Sequence, residues 1–386
     1  MTRRARWAVP GAAVAVTAVV IAALQIPSAQ ASPDLPARTP AQLLASLSTD
    51  AKVPPLTGTV VETASLGLPQ LPTTDSNPTS LTSLLTGNHT VKVYYQDASH
   101  FRLAIPQPSS ETDVIADGSK GWLWESASDS VTEFVPPAGK GATQPMPQVT
   151  PTPLTPQQAA NQVLSKVGAT TLVSVQDNVM VAGEPAYQLV LAPKDSRSLV
   201  GKVVIAVDGK YGIPLRVQLY AKGASSPAFQ VGFTALQFVA PAPANVSFTP
   251  PHGASVDVVN LGKDQGKSGS QGKQDVSGFG TDGKSWLTVV ALPQKDLMQG
   301  FGTASASSGS QGKQQDIYQA NGQGVSVSSQ ELLSALLGSA KPVHGSWGSG
   351  TLVTTSLASM LMTGGEVYIG AVEPSVLYAA VGHITS

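Results

Sequence analysis

The sequence predicts an α+β protein in which a curved antiparallel half-barrel of about eleven strands encloses two helices, followed by a small α+β domain. Three patterns support this fold class: short β-type segments separated by Pro, Asp or Gly, two apolar helical stripes that each open with Thr-Pro, and a late shift to Gly/Ser-rich composition. A sheet of that length must curl or close, and two amphipathic helices can fill its concave side.

The first half of the predicted half-barrel begins with a helix and continues with six strands. Thr39-Pro40 is typical of a helix start, with Thr39 as cap and proline in the first turn, and the apolar stripe continues to about Lys52. Alternating apolar and polar residues then predict strands. These strands are 57–66, 89–97, 100–105, 111–117, 121–126 and 131–135.

The second half repeats this order after a proline-rich stretch at 136–153. Thr155-Pro156 opens a helix with an apolar stripe, and Gly168 closes it. Five further strands are predicted at 171–181, 186–191, 202–207, 215–221 and 229–238. Short connections make sequential strands antiparallel neighbours.

The composition divides the chain into four parts. We expect an export signal at 1–31, the half-barrel at 32–255, a Gly/Ser/Lys/Gln-rich linker at 256–284 and a small α+β domain at 285–386. In the last part, strands are predicted at 286–292, 341–347, 350–355 and 366–372, with helices at about 329–337 and from Pro374.

The N-terminus indicates export. Three arginines, at positions 3, 4 and 6, precede an apolar run from about Trp7 to Ile26, and Ala29-Gln30-Ala31 has the small-x-small form of a signal-peptidase site. Cleavage would begin the mature chain at Ser32. An uncleaved anchor is the alternative, because the run is long enough to span a bilayer. Both readings give an extracytoplasmic location, secreted or at the outer face of the cytoplasmic membrane.

Several kinds of chemistry find no support. With a net charge of −1 the 386-residue chain has no global field that attracts nucleic acid, and with no cysteine it has no thiolate metal site, no cysteine nucleophile and no lipidated cysteine. Its five histidines do not show metal-ligand spacing, no Gly-x-Ser-x-Gly elbow occurs, and the Gly-x-Gly motif at Gly278 lacks the strand before it and the helix after it. We predict no enzyme, no cofactor and no metal.

Acidic residues leave one enzymatic alternative. Paired carboxylates for glycoside hydrolysis could come from Glu62, Glu111, Asp113, Glu125 and Glu133. Acidic residues in a sheet more often mark its solvated face.

Apolar residues two apart share one face of a strand, and three stripes of this kind are candidates for lining a hydrophobic site. The alternative for each of them is ordinary core. The candidates are Val91, Val93, Tyr95, Phe101, Leu103, Ile105, Trp122 and Trp124.

The residues 117–124, Asp-Gly-Ser-Lys-Gly-Trp-Leu-Trp, resemble the Asp-Gly turn and aromatic strand of the LolA-like superfamily. Residues 183–194, Val207-Asp208 with Ile213-Pro214-Leu215, and 248–254 are similar to later motifs of these proteins. The resemblance covers about Thr39 to Val256.

This resemblance implies an unclosed β-barrel covered by helices. As in the lipoprotein carriers, it would bind acyl chains of a lipid or lipoprotein at the membrane surface. The RseB- and MucB-like regulators imply the alternative, in which the chain binds a membrane-anchored regulatory protein such as an anti-sigma factor.

Overall fold

The fold is known from a computed structural model that describes residues 33–48, 53–65, 88–135, 155–164, 167–260, 280–283, 285–294, 338, 340–381 and 383. The predicted export signal at 1–31, the helix at about 329–337 and the stretch 261–279 of the predicted linker lie outside these residues. Residues from Pro33 onward group into one compact unit.

The largest element of the described chain is a twelve-stranded sheet. Its strands run in the order β12-β6-β5-β4-β3-β2-β1-β11-β10-β9-β8-β7. They are β1 (Leu56–Ala64), β2 (Asn88–Asp97), β3 (His100–Pro106), β4 (Glu111–Asp117), β5 (Lys120–Glu125), β6 (Ser130–Val135), β7 (Thr171–Val181), β8 (Glu184–Pro193), β9 (Val200–Asp208), β10 (Pro214–Ala221), β11 (Phe229–Gln237) and β12 (Ser255–Asn260). The eleven strands predicted from the sequence are β1 to β11, and the large, open, mainly antiparallel sheet is confirmed.

Strand β12 is the twelfth member and differs from the sequence-based expectation. Residues 256–260 were assigned to the linker, but they pair with β6 from Ser255↔Ser130 to Asn260↔Val135. This pairing is parallel, whereas every other neighbouring pair in this sheet is antiparallel. A parallel edge strand requires a long return of the chain, and residues 238–254 supply it.

Two helices, α1 (Pro40–Ser48) and α2 (Pro156–Leu164), begin in the same way. In α1, the Gln42 backbone amide donates to Thr39 Oγ1 at 3.3 Å, and the Thr39 backbone amide donates to Gln42 Oε1 at 2.8 Å. In α2, Gln158 and Thr155 form the same two hydrogen bonds, at 3.3 and 2.9 Å. This reciprocal capping box satisfies two helix-end donors, and proline at the first position needs none.

The core of the large sheet lies under these helices. Leu43 of α1 and Ala160 of α2 are fully buried with Val60, Ile205 and Leu215. We call this face of the sheet the inner face and the opposite one the outer face. The predicted placement of both helices against one face of the sheet is therefore confirmed.

A second sheet of six strands follows, in the order β13-β14-β18-β17-β16-β15. Its strands are β13 (Gly280–Asp282), β14 (Val289–Pro293), β15 (Lys341–Gly345), β16 (Gly348–Thr354), β17 (Ser359–Thr363) and β18 (Glu366–Gly370), and α3 (Pro374–Ala380) packs on it through Leu377. The sequence predicted β14, β15, β16, β18 and α3, but neither β13 nor β17.

The β8–β9 loop of the large sheet contacts the small sheet directly. The Leu199 amide donates to the Ala371 carbonyl at 2.9 Å, and the Glu373 amide donates to the Arg197 carbonyl at 2.8 Å. Trp286, which precedes β14, donates its indole N–H to Thr171 Oγ1 of β7 at 2.8 Å. The two sheets are thus joined by backbone as well as side-chain hydrogen bonds.

Candidate functional site

Strand pairing decides which side chains share a face of the large sheet. Residues directly opposite each other in an antiparallel pair project to the same side. One inner-face row crosses five strands, and a second row runs parallel to it. The first is Tyr95–Phe101–Ala116–Gly121–Phe134, and the second is Val93–Leu103–Val114–Leu123–Thr132.

Six of the eight predicted lining residues lie together on the inner face, in β2 and β3. Val91, Val93 and Ile105 are buried in the core under the helices. Tyr95 and Leu103 are partly buried and pack against that core. Phe101 is also partly exposed, but no hydrophobic cluster of the described residues includes it. The sequence allowed either a core or a lining role for each residue, and in the structure Val91, Val93 and Ile105 are core residues.

Trp122 and Trp124 lie on the outer face, so the structure does not bring the eight residues together. Trp122 stands opposite Ile115, and Trp124 stands opposite Asp113. Phe248, from the segment that returns toward β12, covers both indoles, with ring centroids 5.4 and 6.5 Å away. Trp122 is only 6% exposed and forms a small cluster with Ile115 and Val131. The tryptophan pair anchors the returning segment to the sheet.

Three further apolar residues continue these two inner-face rows, and they were not identified from the sequence. Val114 and Leu123 continue the row of Leu103, and Phe134 ends the row of Phe101. All three are partly exposed, and none belongs to a hydrophobic cluster of the described residues. The two-residue turn between β4 and β5 pairs Val114 with Leu123, so the sequence did contain a signal for these two.

The stripe has small residues in its centre. Ala116 and Gly121 separate Phe101 from Phe134 along one row. With strands about 4.8 Å apart, three steps place the two aromatic side chains roughly 14 Å from each other. We refer to Phe101, Val114, Leu123 and Phe134 as the inner stripe. It offers an elongated apolar strip with aromatic ends, which suits an extended hydrocarbon chain better than a compact polar ligand.

Two of the five acidic residues considered from the sequence, Glu111 and Asp113, are paired with one arginine. Asp113 lies on the outer face, fully buried, and accepts from Arg102 Nη2 at 2.5 Å, while Glu111 accepts from the same nitrogen at 2.9 Å. Glu62 is only 3% exposed. The expectation that acidic residues mark a solvated face is therefore wrong for Asp113 and Glu62.

Burial controls the protonation of Asp113. Loss of water around the carboxyl raises its pKa to about 6, and the adjacent Glu111 adds to the increase, although Arg102 opposes both. Two carboxylates share one guanidinium here, so the cluster holds a proton at mildly acidic pH. Its partners are all within the sheet, which is typical of a structural ion cluster.

The described part of the chain contains no group of three or more His, Asp or Glu side chains arranged to hold a metal ion. Within those same residues, no helix combines the length and the apolar character needed to cross a bilayer.

No family model matches the sequence, and no curated protein matches it at a significant level. Several solved structures are similar in fold. The MucA/MucB complex of Pseudomonas aeruginosa gives a TM-score of 0.36 at 13% identity, over 89% of this chain and 96% of the matched chain.

Two further solved structures match about half of this chain. An uncharacterized conserved protein of Thermus thermophilus gives a TM-score of 0.30 at 11% identity, over 57% of this chain and 99% of its own. A LolA superfamily protein of Nitrosomonas europaea gives 0.21 at 11% identity, over 55% and 99%.

Proposed function

We propose that this protein is a non-enzymatic, extracytoplasmic protein that binds acyl chains of a lipid or lipoprotein at the membrane surface. The observation that carries the proposal is the inner stripe: four large apolar side chains, all partly exposed, side by side on the face that carries the core. Sites for apolar ligands are concave and mostly apolar. The sheet supplies the surface, and the predicted export signal supplies the location.

The energetics of the inner stripe favour a hydrocarbon ligand. Each methylene group taken out of water contributes about 0.8 kcal/mol, and a chain laid along the stripe would also remove part of the Phe101 and Phe134 rings from water. No charged side chain interrupts the stripe between these two rings. A polar or charged ligand would leave its hydrogen-bonding groups unpaired there.

A second apolar surface favours the alternative, a regulator that docks onto a membrane-anchored protein. On the small sheet, the face opposite α3 carries Val290 and Ile369 in register, with Met360 next to Ile369. All three are partly exposed. A small-sheet surface of this kind suits a protein partner. Native mass spectrometry of the protein purified from its own host separates the two functions, because a carrier retains a lipid-sized mass and a regulator retains a protein.

The acyl-binding proposal predicts that Leu123→Asp abolishes binding of a fluorescent fatty acid. A carboxylate facing the chain must stay hydrated or become neutral, and either outcome opposes binding by several kcal/mol, roughly a hundredfold or more in affinity. Leu123 belongs to no core cluster of the described residues, so the variant should remain folded. Fluorescence titration measures the affinity, and thermal melting checks the fold.

Val256→Asp is the matched control, since Val256 is a 45% exposed valine on the outer face of β12. It should bind as the original protein does. Retained binding in a folded Leu123→Asp variant would remove Leu123 from the lining. A wild-type protein that binds no acyl probe would contradict the proposed function itself.

A further inference from the structure

A depression of about 560 Å³ that the acyl-binding proposal does not use lies at β1, β2 and β11, with outer-face residues of these strands, Leu236 of the core and Ala182 of the β7–β8 turn in its lining. Its position coincides with a break in the β1–β11 ladder. Thr59 pairs with Ala235 but the next residue, Val60, pairs with Phe233, so Thr234 is left over as a bulge. Bulges redirect side chains and are enriched next to binding sites. The volume is within the range of about 300–1,000 Å³ for small-molecule sites.

Five of the ten residues that line the depression are neutral and polar, and one, Lys92, is charged. Thr57 stands opposite Gln237 on one side and Tyr94 on the other, and Thr59 stands opposite Lys92. Neighbouring strands are about 4.8 Å apart, so the first row of three polar side chains extends over roughly 10 Å. Hydroxyl groups both donate and accept, and an amide offers a donor and an acceptor at one end. We call this set the outer polar pocket.

Most of these polar groups have no partner within the described chain. No hydrogen bond, ion pair or ring contact to a described residue engages the side chains of Thr57, Lys92, Tyr94 or Gln237. Thr234 Oγ1 donates to the Thr59 carbonyl at 3.3 Å, which fixes the bulge. These four side chains line one depression, Lys92 and Gln237 are exposed, and Tyr94 adds an aromatic ring.

We propose that the outer polar pocket binds a hexose unit that carries at most one negative charge. Sugar hydroxyls match the mixed donors and acceptors of Thr57, Thr59 and Gln237, and the apolar side of a sugar ring can pack on the Tyr94 ring. Lys92 is the single cation of the lining, so one phosphate or carboxylate substituent can be paired there.

The lining argues against other ligand classes. No Asp or Glu contributes to it, which disfavours a divalent cation, since Mg²⁺ and Ca²⁺ prefer carboxylate oxygens. A polyanion would need more than one cation. An acyl chain would leave Thr57, Tyr94 and Gln237 without hydrogen bonds.

Saturation-transfer NMR on the full chain tests this site with the methyl glycosides of glucose, mannose and galactose, and with glucose 1-phosphate. We expect transfer to the ring protons of at least one glycoside at millimolar concentration. Thr57→Val and Tyr94→Phe, which remove one hydroxyl each, should weaken binding by roughly three- to tenfold. Lys92→Met should remove any preference for the phosphorylated sugar and leave glycoside binding in place.

Tyr220→Phe is the control, because Tyr220 lies on the outer face with Lys202 Nζ 4.8 Å from its ring, outside the pocket. This variant should bind as the original protein does, and thermal melting should show all variants folded. Absence of transfer from every glycoside would overturn the proposal. Transfer to glucose 1-phosphate without transfer to any methyl glycoside would also overturn it and assign an anion site. Vesicles carrying a glycolipid, compared with free glycoside, show whether the sugar is recognised on a membrane.

Discussion

Replacing Trp122 by alanine is expected to lower the free energy of unfolding by about 3–5 kcal/mol, the usual cost of emptying a large aromatic site. Trp122 is only 6% exposed, and its ring packs against Phe248 with Lys120 Nζ 5.2 Å from its centroid. The loss would leave a cavity between β5 and the returning segment. Urea unfolding followed by circular dichroism measures the change.

The same variant should leave acyl-chain affinity unchanged, since Trp122 is on the outer face. This separates the structural role of the tryptophan from the lining role that the sequence allowed. Trp124→Ala is the comparison. Because Trp124 is partly exposed, this substitution should lower the free energy of unfolding by less than Trp122→Ala does. A folded Trp122→Ala protein that no longer bound a fluorescent fatty acid would show that the outer face takes part in acyl binding.

Stability is expected to fall by up to about 3 kcal/mol as the pH rises from about 4 to about 6, through the contribution of Asp113. Burial raises the pKa of this carboxyl to about 6 from an ordinary 3.8. The folded protein therefore holds the proton more tightly than the unfolded chain. The stabilisation that Asp113 contributes is fully present below about pH 4 and decreases between about pH 4 and 6. Above about pH 6 it does not change further. Arg102 and Glu111 face the carboxyl and set its charge balance.

Asp113→Asn tests this dependence, because the amide oxygen can still accept from Arg102 but cannot ionise. The difference in unfolding free energy between the variant and the original protein should change across pH 4–6. Asp195→Asn is the control: Arg197 lowers the pKa of Asp195 to about 2, so its titration lies below the window. An unchanged pH profile in Asp113→Asn would show that Asp113 is not the titrating group.

Local patterns were sufficient for most of the large sheet. Strands β1 to β11 follow from alternating residues between turn signals, and both helices follow from Thr-Pro starts and the apolar stripes after them. These features depend on neighbours in sequence, where the physical cause and the pattern lie in the same few residues. Six of the predicted lining residues were accordingly placed on one face.

The remaining features depend on distant residues. Trp122 and Leu103 face opposite sides because of the β3–β4 pairing, and alternation within β5 alone cannot give that relation. Strand β12 carries three valines of its own, but it directly precedes the Gly/Ser-rich residues and its pairing partner β6 is distant in sequence. For the outer polar pocket, Thr57 and Gln237 become neighbours only through the β1–β11 ladder.

That ladder also determines how the chain can fold. Strands β2 to β6 and β7 to β10 are each linked by short local connections, whereas β1 joins β11 by pairing Val60 with Phe233. Contacts between residues so distant in sequence require a large loop to close before they contribute, which slows folding. We therefore expect two early meanders, with their union through β1 and β11 as the late step. Until that step both strands present unpaired edges, and the incompletely folded chain is open to association with other chains.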